Sequence, residues 1–362
     1  MKTKICVFFG VFSVMALSNA IVPVLPYFAA GMPAVQGIIF SAYFLGAFLT
    51  VIPAGIISDK TGKLPLIRAG LILTVISGAV MCFSHNPFLI TAARLGEGIA
   101  AGLFAACAMS WVNEQPDHKK LSGYYFASLN AGLVTGLLAS GFLNSHLGAS
   151  GGILLFTALS VPPALLSIAA PSDAAGPLKR GGLKEAAFDF KWLFLSVIIL
   201  TGATGVVTSL YPEFTDGSPV VLSMQIGAMN AATIIASLIA PRLNLKPVPC
   251  IKAGAVLMAV FVFLSYEMAF KGELFVFIAF CAIGAIAGFI MIAQMDFLAE
   301  TYFAQGTIMG LFNASGYAGM TFLPFFAGII AQFSGYMPAF LAVCVLSFMI
   351  ALFIGRCTKC RL

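Results

Sequence analysis

The sequence predicts an all-α membrane protein with twelve transmembrane helices in two pseudo-symmetric six-helix bundles. Three observations predict it. Of the 362 residues, 60% are hydrophobic and only 9% are charged, against about 25% charged in a soluble domain. Apolar runs of roughly 20 residues, the length that crosses a bilayer, recur along the whole chain. The first half of the chain returns in the second at a nearly constant offset. A transmembrane β-barrel would show short alternating segments instead.

The runs fall at 5–28, 35–58, 64–84, 87–112, 120–143 and 150–170, then at 191–211, 219–241, 248–270, 273–299, 304–331 and 334–355. The opening "MKTKICVFFGVFSVMALSNA" has the charge, apolar core and small residues of a secretory signal. Its apolar run continues through "IVPVLPYF", and a later span repeats it, so it reads as span 1. The longest connection, "PSDAAGPLKRGGLKEAAFDF" at 171–190, is polar, basic and Gly/Pro-containing. It separates a bundle at 1–170 from a second at 191–362.

Orientation follows from the basic residues, which gather on the cytoplasmic side of helical membrane proteins. With the N-terminus inside, all but two of the 19 Lys and Arg fall on inner segments. Arg94 lies within a span and Lys271 falls outside. Both termini and the central loop are therefore expected in the cytoplasm. The net charge of +6 then reflects topology beside anionic lipid, not nucleic-acid binding. Short loops and modest length suggest a prokaryotic inner membrane.

At an offset of about 186, Pro26 and Phe28 meet Pro212 and Phe214, while Gly98, Gly102 and Glu114 meet Gly284, Gly288 and Glu300. At about 187, Ser128, Gly132 and Gly148 meet Ser315, Gly319 and Gly335, and at about 184 "PLIRAG" meets "PCIKAG". Two parallel six-helix repeats suit a carrier whose substrate sits between halves that rock around it. Glycines four apart, such as Gly98/Gly102 and Gly132/Gly136, let helix backbones approach closely; ordinary packing is enough to explain them.

Two stretches carry more specific chemistry. The loop between spans 2 and 3 reads "GIISDKTGKLPLIRAG" (55–70). Gly62 permits a turn with positive φ. Asp59 can accept from Lys63 or face a helix N-terminus, which favours anions. A releasable gate and a solvated anchor are the alternatives. Span 4 carries "TAARLGEGIAAG" (91–102), with Arg94 roughly 10 Å below the outer boundary at 1.5 Å per residue and Glu97 one turn deeper. A charge at that depth costs about 2.5–3.5 kcal/mol. Residues i and i+3 share a helix face, so the two can pair. Burial favours a neutral Glu97 and the arginine favours a carboxylate. A structural ion pair and a proton-coupling or substrate-anchoring pair are the alternatives.

The loop resembles that of the major facilitator superfamily: Gly55, three residues, Asp59, basic Lys60, Gly62, then basic Lys63. Leu64 stands where a second basic residue is usual, and Arg68 follows later. The resemblance implies the major facilitator fold. It also implies a cytoplasmic gate at Gly55, Asp59, Lys60, Gly62 and Lys63, with Asp59 contacting the start of span 11. "RLGEGIAA" resembles the span-4 motif of drug:proton antiporters in that superfamily, with Glu97 where Gln is common. There the arginine is linked to proton coupling, which carries to Arg94. Span 5 keeps Gly132, Gly136 and Gly141, but has Leu137 at the expected proline; span 11 has Pro324.

Other polar candidates are Asn19, Tyr124, Ser128, Asn130, Asn313 and Tyr317 on the cavity spans, and Asp296 with Glu300 at the inner end of span 10. Asp296 reads as a gate or coupling residue, or as a snorkelling boundary charge. Each of the others is as readily a helix-packing hydrogen bond. The 34 Phe and 15 Met suit an apolar cavity wall and equally a lipid-facing surface. No phosphate loop, zinc-binding helix motif or nucleophile elbow is present in the sequence, so no enzyme and no cofactor is expected. Cys357-x-x-Cys360 alone is a poor metal site, since structural zinc usually takes four ligands.

The expected function is proton-coupled export of a small organic solute by alternating access. Uptake and facilitated diffusion stay open, as does a non-transporting receptor or scaffold. The expected partners are a small-molecule substrate, protons and the lipid bilayer, with no nucleic acid, and the chain is expected to act as a monomer.

Overall fold

The computed structural model describes residues 2–28, 33–148, 150–170, 182–214 and 219–355. Most of the expected linker (171–181) and the Cys357–Cys360 pair lie outside them. Among the described residues the chain is helical without strands.

In order the helices are α1 (Lys2–Ala20), α2 (Leu25–Phe28), α3 (Pro33–Thr61), α4 (Leu64–Phe83), α5 (Pro87–Asn113), α6 (His118–Leu147) and α7 (Gly151–Ile168). After the linker come α8 (Leu183–Asp189), α9 (Lys191–Phe214), α10 (Pro219–Ile239), α11 (Pro247–Met268), α12 (Glu273–Ala299), α13 (Gln305–Ser334) and α14 (Tyr336–Phe353). Eleven are long and apolar enough to cross a membrane. The twelfth expected span falls on α6, a 30-residue helix that also carries His118, Lys119, Lys120 and Asn130.

Local chemistry sets the breaks. Expected span 1 is not one continuous helix: it stops at Ala20 and passes through a 3-10 turn, Val22–Val24, into α2. The prolines explain this. Pro23 and Pro26 bring no N–H to an α-helical ladder, and Val24 instead bonds Ile21 O at 3.0 Å. Asn86 caps α5 by accepting from Phe88 N at 2.9 Å, just ahead of Pro87. Gly62 makes the turn between α3 and α4 with φ +89°, where a side chain would be strained. The linker is not irregular throughout. Its end is α8, whose Glu185 carboxylate reaches back to accept from Gly182 N at 3.3 Å.

The chain forms two compact units. One comprises Met1–Gln115, Ser128–Arg180 and Phe303–Asn313; the other comprises Pro116–Ala127, Gly181–Tyr302 and Ala314–Leu362. In the first, α3 packs on α5 so closely that a Cβ on Gly98 would overlap Tyr43 O. In the second, α10 packs on α12, and a Cβ on Gly284 would overlap Met229 O. Thr233 Oγ1 donates to Gly284 O at 2.9 Å across that contact. Likewise Gly132 abuts Phe12 O in the first unit, and Gly319 abuts Ile198 O in the second. These pairs are related by offsets of 186 or 187 residues, so the duplication is one of packing as well as sequence.

Gly98→Val is expected to destabilise the protein by about 1–3 kcal/mol, the usual cost of overpacking. The check is a lower unfolding midpoint in detergent. An unchanged midpoint would mean that α3 and α5 do not touch there.

Candidate functional site

The deepest charges lie in the first unit. Arg94 and Glu97 are 1% and 0% exposed. The spacing of three residues puts them on one face of α5, and Arg94 Nη1 donates to Glu97 Oε2 at 2.6 Å. The same nitrogen donates to Ser18 O of α1 at 3.2 Å. The guanidinium carbon stands 4.7 Å from the centre of the Tyr43 ring on α3, within cation–π range. Two atoms of the pair, Arg94 Nε and Glu97 Oε1, are buried without a hydrogen-bond partner among the described residues. Leaving such a group unsatisfied costs about 1–3 kcal/mol, and more when it is charged. The pair therefore has one donor and one acceptor spare for a ligand or a proton.

The second cluster sits at the end of α3, also in the first unit. Asp59 Oδ1 accepts from Gly306 N, and Oδ2 accepts from Thr307 N and Thr307 Oγ1, each at 2.8 Å. Its carboxylate thus caps α13, whose first N–H groups have no partner within the helix. Of the two partners open to Asp59 in the sequence, the helix N-terminus is the one it takes. Gly55 and Gly306 make this possible: a Cβ on either would overlap the other's carbonyl oxygen. Lys63 turns elsewhere, to both Glu114 oxygens at 2.5 Å. Lys60 is exposed. Arg68 does not extend this cluster; it donates to Ser167 O and Ala170 O at the end of α7, at 3.1 and 3.4 Å.

The third cluster lies in the second unit. Asp296 is 6% exposed. Lys119 Nζ is 3.1 Å from its Oδ2, and His118 Nδ1 is 3.6 Å from its Oδ1.

The remaining polar candidates are spread out. Asn19 donates to Leu133 O at 3.0 Å, joining α1 to α6. Asn313 donates to Met309 O at 2.8 Å and to Met109 Sδ at 3.0 Å. Both amides thus serve helix packing. Asn130 is buried and Ser128 half-buried on α6. Tyr124 is 40% exposed in the second unit, with Lys120 Nζ 5.8 Å from its ring centre. Tyr317, also in the second unit, is half-buried. His118, which opens α6, gave no signal in the sequence. Glu114 was visible only as the repeat partner of Glu300. Tyr43 gave no signal.

A family model described as the Major Facilitator Superfamily matches residues 7–320. The chain belongs to that superfamily. It is a multi-pass membrane protein of a transporter family, not of an enzyme family. It is 30% identical over 201 residues to the multi-drug resistance efflux pump PmrA of Streptococcus pneumoniae, covering 52% of this chain and 49% of that protein. It is 26% identical over 148 residues to the quinolone resistance protein NorA of Staphylococcus aureus, covering 39% and 38%. The chain therefore spans about half the length, or less, of the curated relatives it matches. Its fold is similar to that of the human organic anion transporter MFSD10, with TM-score 0.80, 15% identity and coverage of 97% and 98%. It is also similar to that of the E. coli fucose:proton symporter FucP, with TM-score 0.76, 17% identity and coverage of 97% and 98%. In this member of the superfamily, then, an arginine–glutamate pair lies in the first half of α5, and a capped helix start adjoins the Gly62 turn.

Proposed function

We propose that this transporter exports a small organic solute across the cytoplasmic membrane in exchange for protons, with both termini and the Gly62 turn on the cytoplasmic side. The observation that carries the reading is the buried Arg94–Glu97 pair with its two unsatisfied atoms. While Glu97 is ionised, its spare Oε1 and the spare Arg94 Nε hold the solute. A proton on Glu97 cancels the carboxylate and releases the solute, and loss of the proton restores the site for the next one. Proton and solute thus compete for one group, as exchange requires. The efflux names of PmrA and NorA support the outward direction. The basic residues beside the Gly62 turn support its cytoplasmic placement. Asp59 with Gly55, Gly62 and the Lys63–Glu114 pair serves as the gate on that side, made in one state of the cycle and broken in the other.

The test is proton flux through purified protein in liposomes, followed with a pH-sensitive dye across a panel of small organic solutes. Solute-driven proton flux is expected in the parent protein and is expected to be lost, by about tenfold or more, in Glu97→Gln. The direction of flux separates export from uptake. Equal flux in the two proteins would reduce the pair to a structural bridge.

A further inference from the structure

The Asp296 cluster has a duplicated setting. In the second unit a Cβ on Gly123, near the start of α6, would overlap Ser237 O near the end of α10. In the first unit Gly55 near the end of α3 meets Gly306 at the start of α13 in the same way. The two seams are related by nearly the offset of the internal repeat. Asp59 completes the first seam. The second repeat carries no acid at the matching place, around Leu243. Its acid is Asp296, on the last turns of α12, and it faces cations rather than N–H groups.

Those cations differ in kind. Lys119 lies 3.1 Å from Asp296 Oδ2 and 3.9 Å from Glu300 Oε1. Histidine is the side chain whose charge changes between about pH 5 and 8. A neutral imidazole carries a proton on one nitrogen and an imidazolium on both. At 3.6 Å, His118 Nδ1 and Asp296 Oδ1 face each other, and neither atom has a hydrogen-bond partner among the described residues. Asp296 and Lys119 line a small, partly open pocket with Asn244, Cys250 and Phe289. Of the other charges nearby, Asp117 and Lys120 flank His118 in sequence, and Lys120 lies over Tyr124. Arg242 and Lys246 are exposed on the link from α10 to α11.

We propose that His118, Lys119 and Asp296 form a proton-sensitive latch on the second seam. When His118 is protonated, Nδ1–H donates to Asp296 Oδ1 and ties the start of α6 to the end of α12. When it is neutral, Lys119 alone holds the acid and the seam opens more readily. Acid on this side of the membrane therefore slows opening there. The inference rests on reading this end as the gate.

The test is amide hydrogen exchange of the full-length protein in lipid nanodiscs, read at the first turn of α6 and the last turn of α12. At fixed pD, His118→Arg is expected to exchange about threefold more slowly than His118→Gln, the scale of one partly exposed ion pair. Corrected for intrinsic rates, the parent protein is expected to move from the glutamine value to the arginine value between about pD 8 and pD 5.5. Equal exchange in the two variants, or a parent protein that does not move, would overturn the latch. Asp296→Asn is expected to erase the difference between the His118 variants, and a difference that persists in its presence would also overturn it. Asp59→Asn reports on the gate separately. If it loosens the start of α13 while the His118 variants agree, the gate stands and the latch falls. If it leaves α13 unchanged, the gate reading falls, and the latch loses its place in the cycle.

Discussion

Arg94→Ala is expected to destabilise the protein by about 3–5 kcal/mol and to abolish coupled transport, because it strands a buried carboxylate. Glu97 is 0% exposed, and among the described residues Arg94 is its one ion-pair partner. Without the guanidinium, Glu97 stays buried only by holding a proton. The cation–π contact with Tyr43 and the bond to Ser18 O go at the same time. The double variant Arg94→Met/Glu97→Met separates the two roles. It removes both charges and keeps side-chain volume, a change that is often neutral or stabilising for buried pairs. It is expected to recover most of the lost stability and none of the transport. Unfolding in detergent and flux in liposomes check each half. A double variant that transports would mean that the pair is scaffolding.

Asp59→Asn is expected to shift the balance between closed and open gate by about tenfold or more towards open. Asp59 makes three hydrogen bonds of 2.8 Å to Gly306 and Thr307, and bonds to a charged group are worth about 1.5–3 kcal/mol each. The amide keeps one acceptor and turns its NH₂ towards N–H groups that are donors themselves. It also gives up the attraction between a negative charge and a helix N-terminus. The Gly55–Gly306 approach stays intact, so the fold is expected to survive. Exchange of the α13 first-turn amides reports the change. Thr307→Val removes one bond only and is expected to give a smaller shift. Unchanged exchange in Asp59→Asn would sink the gate.

Helix placement was largely legible in the sequence. The run read at 35–58 is α3 at Pro33–Thr61, and the run read at 87–112 is α5 at Pro87–Asn113. Hydropathy tracks burial and lipid exposure, and Asn86 with Pro87 fixes a helix start. Hydropathy does not track backbone continuity, which is why the break after Ala20 was hidden inside an apolar run. The Arg94–Glu97 pair was legible because helical spacing alone joins them. Ser18 and Tyr43 were not, since one sequence does not say which helices neighbour α5. The contact of Asp59 with α13 came from the family resemblance; composition alone left it beside a solvated anchor. Glu114 lies 51 positions from Lys63, a distance at which sequence offers no geometric constraint. His118 gave no signal because a polar loop and the first turn of a helix look alike in composition.

The Arg94–Glu97 contact has an electrical consequence. One elementary charge moved through the membrane field is worth about 2.3 kcal/mol per 100 mV. A cation and an anion held 2.6 Å apart carry no net charge through that field, so in the proposed cycle the step that carries an uncharged solute reorients without feeling the voltage. Once Glu97 takes a proton, Arg94 stands alone as a positive charge in the field. The membrane potential then acts on the proton-bound return alone, and a voltage clamp would meter that step and leave the solute step silent.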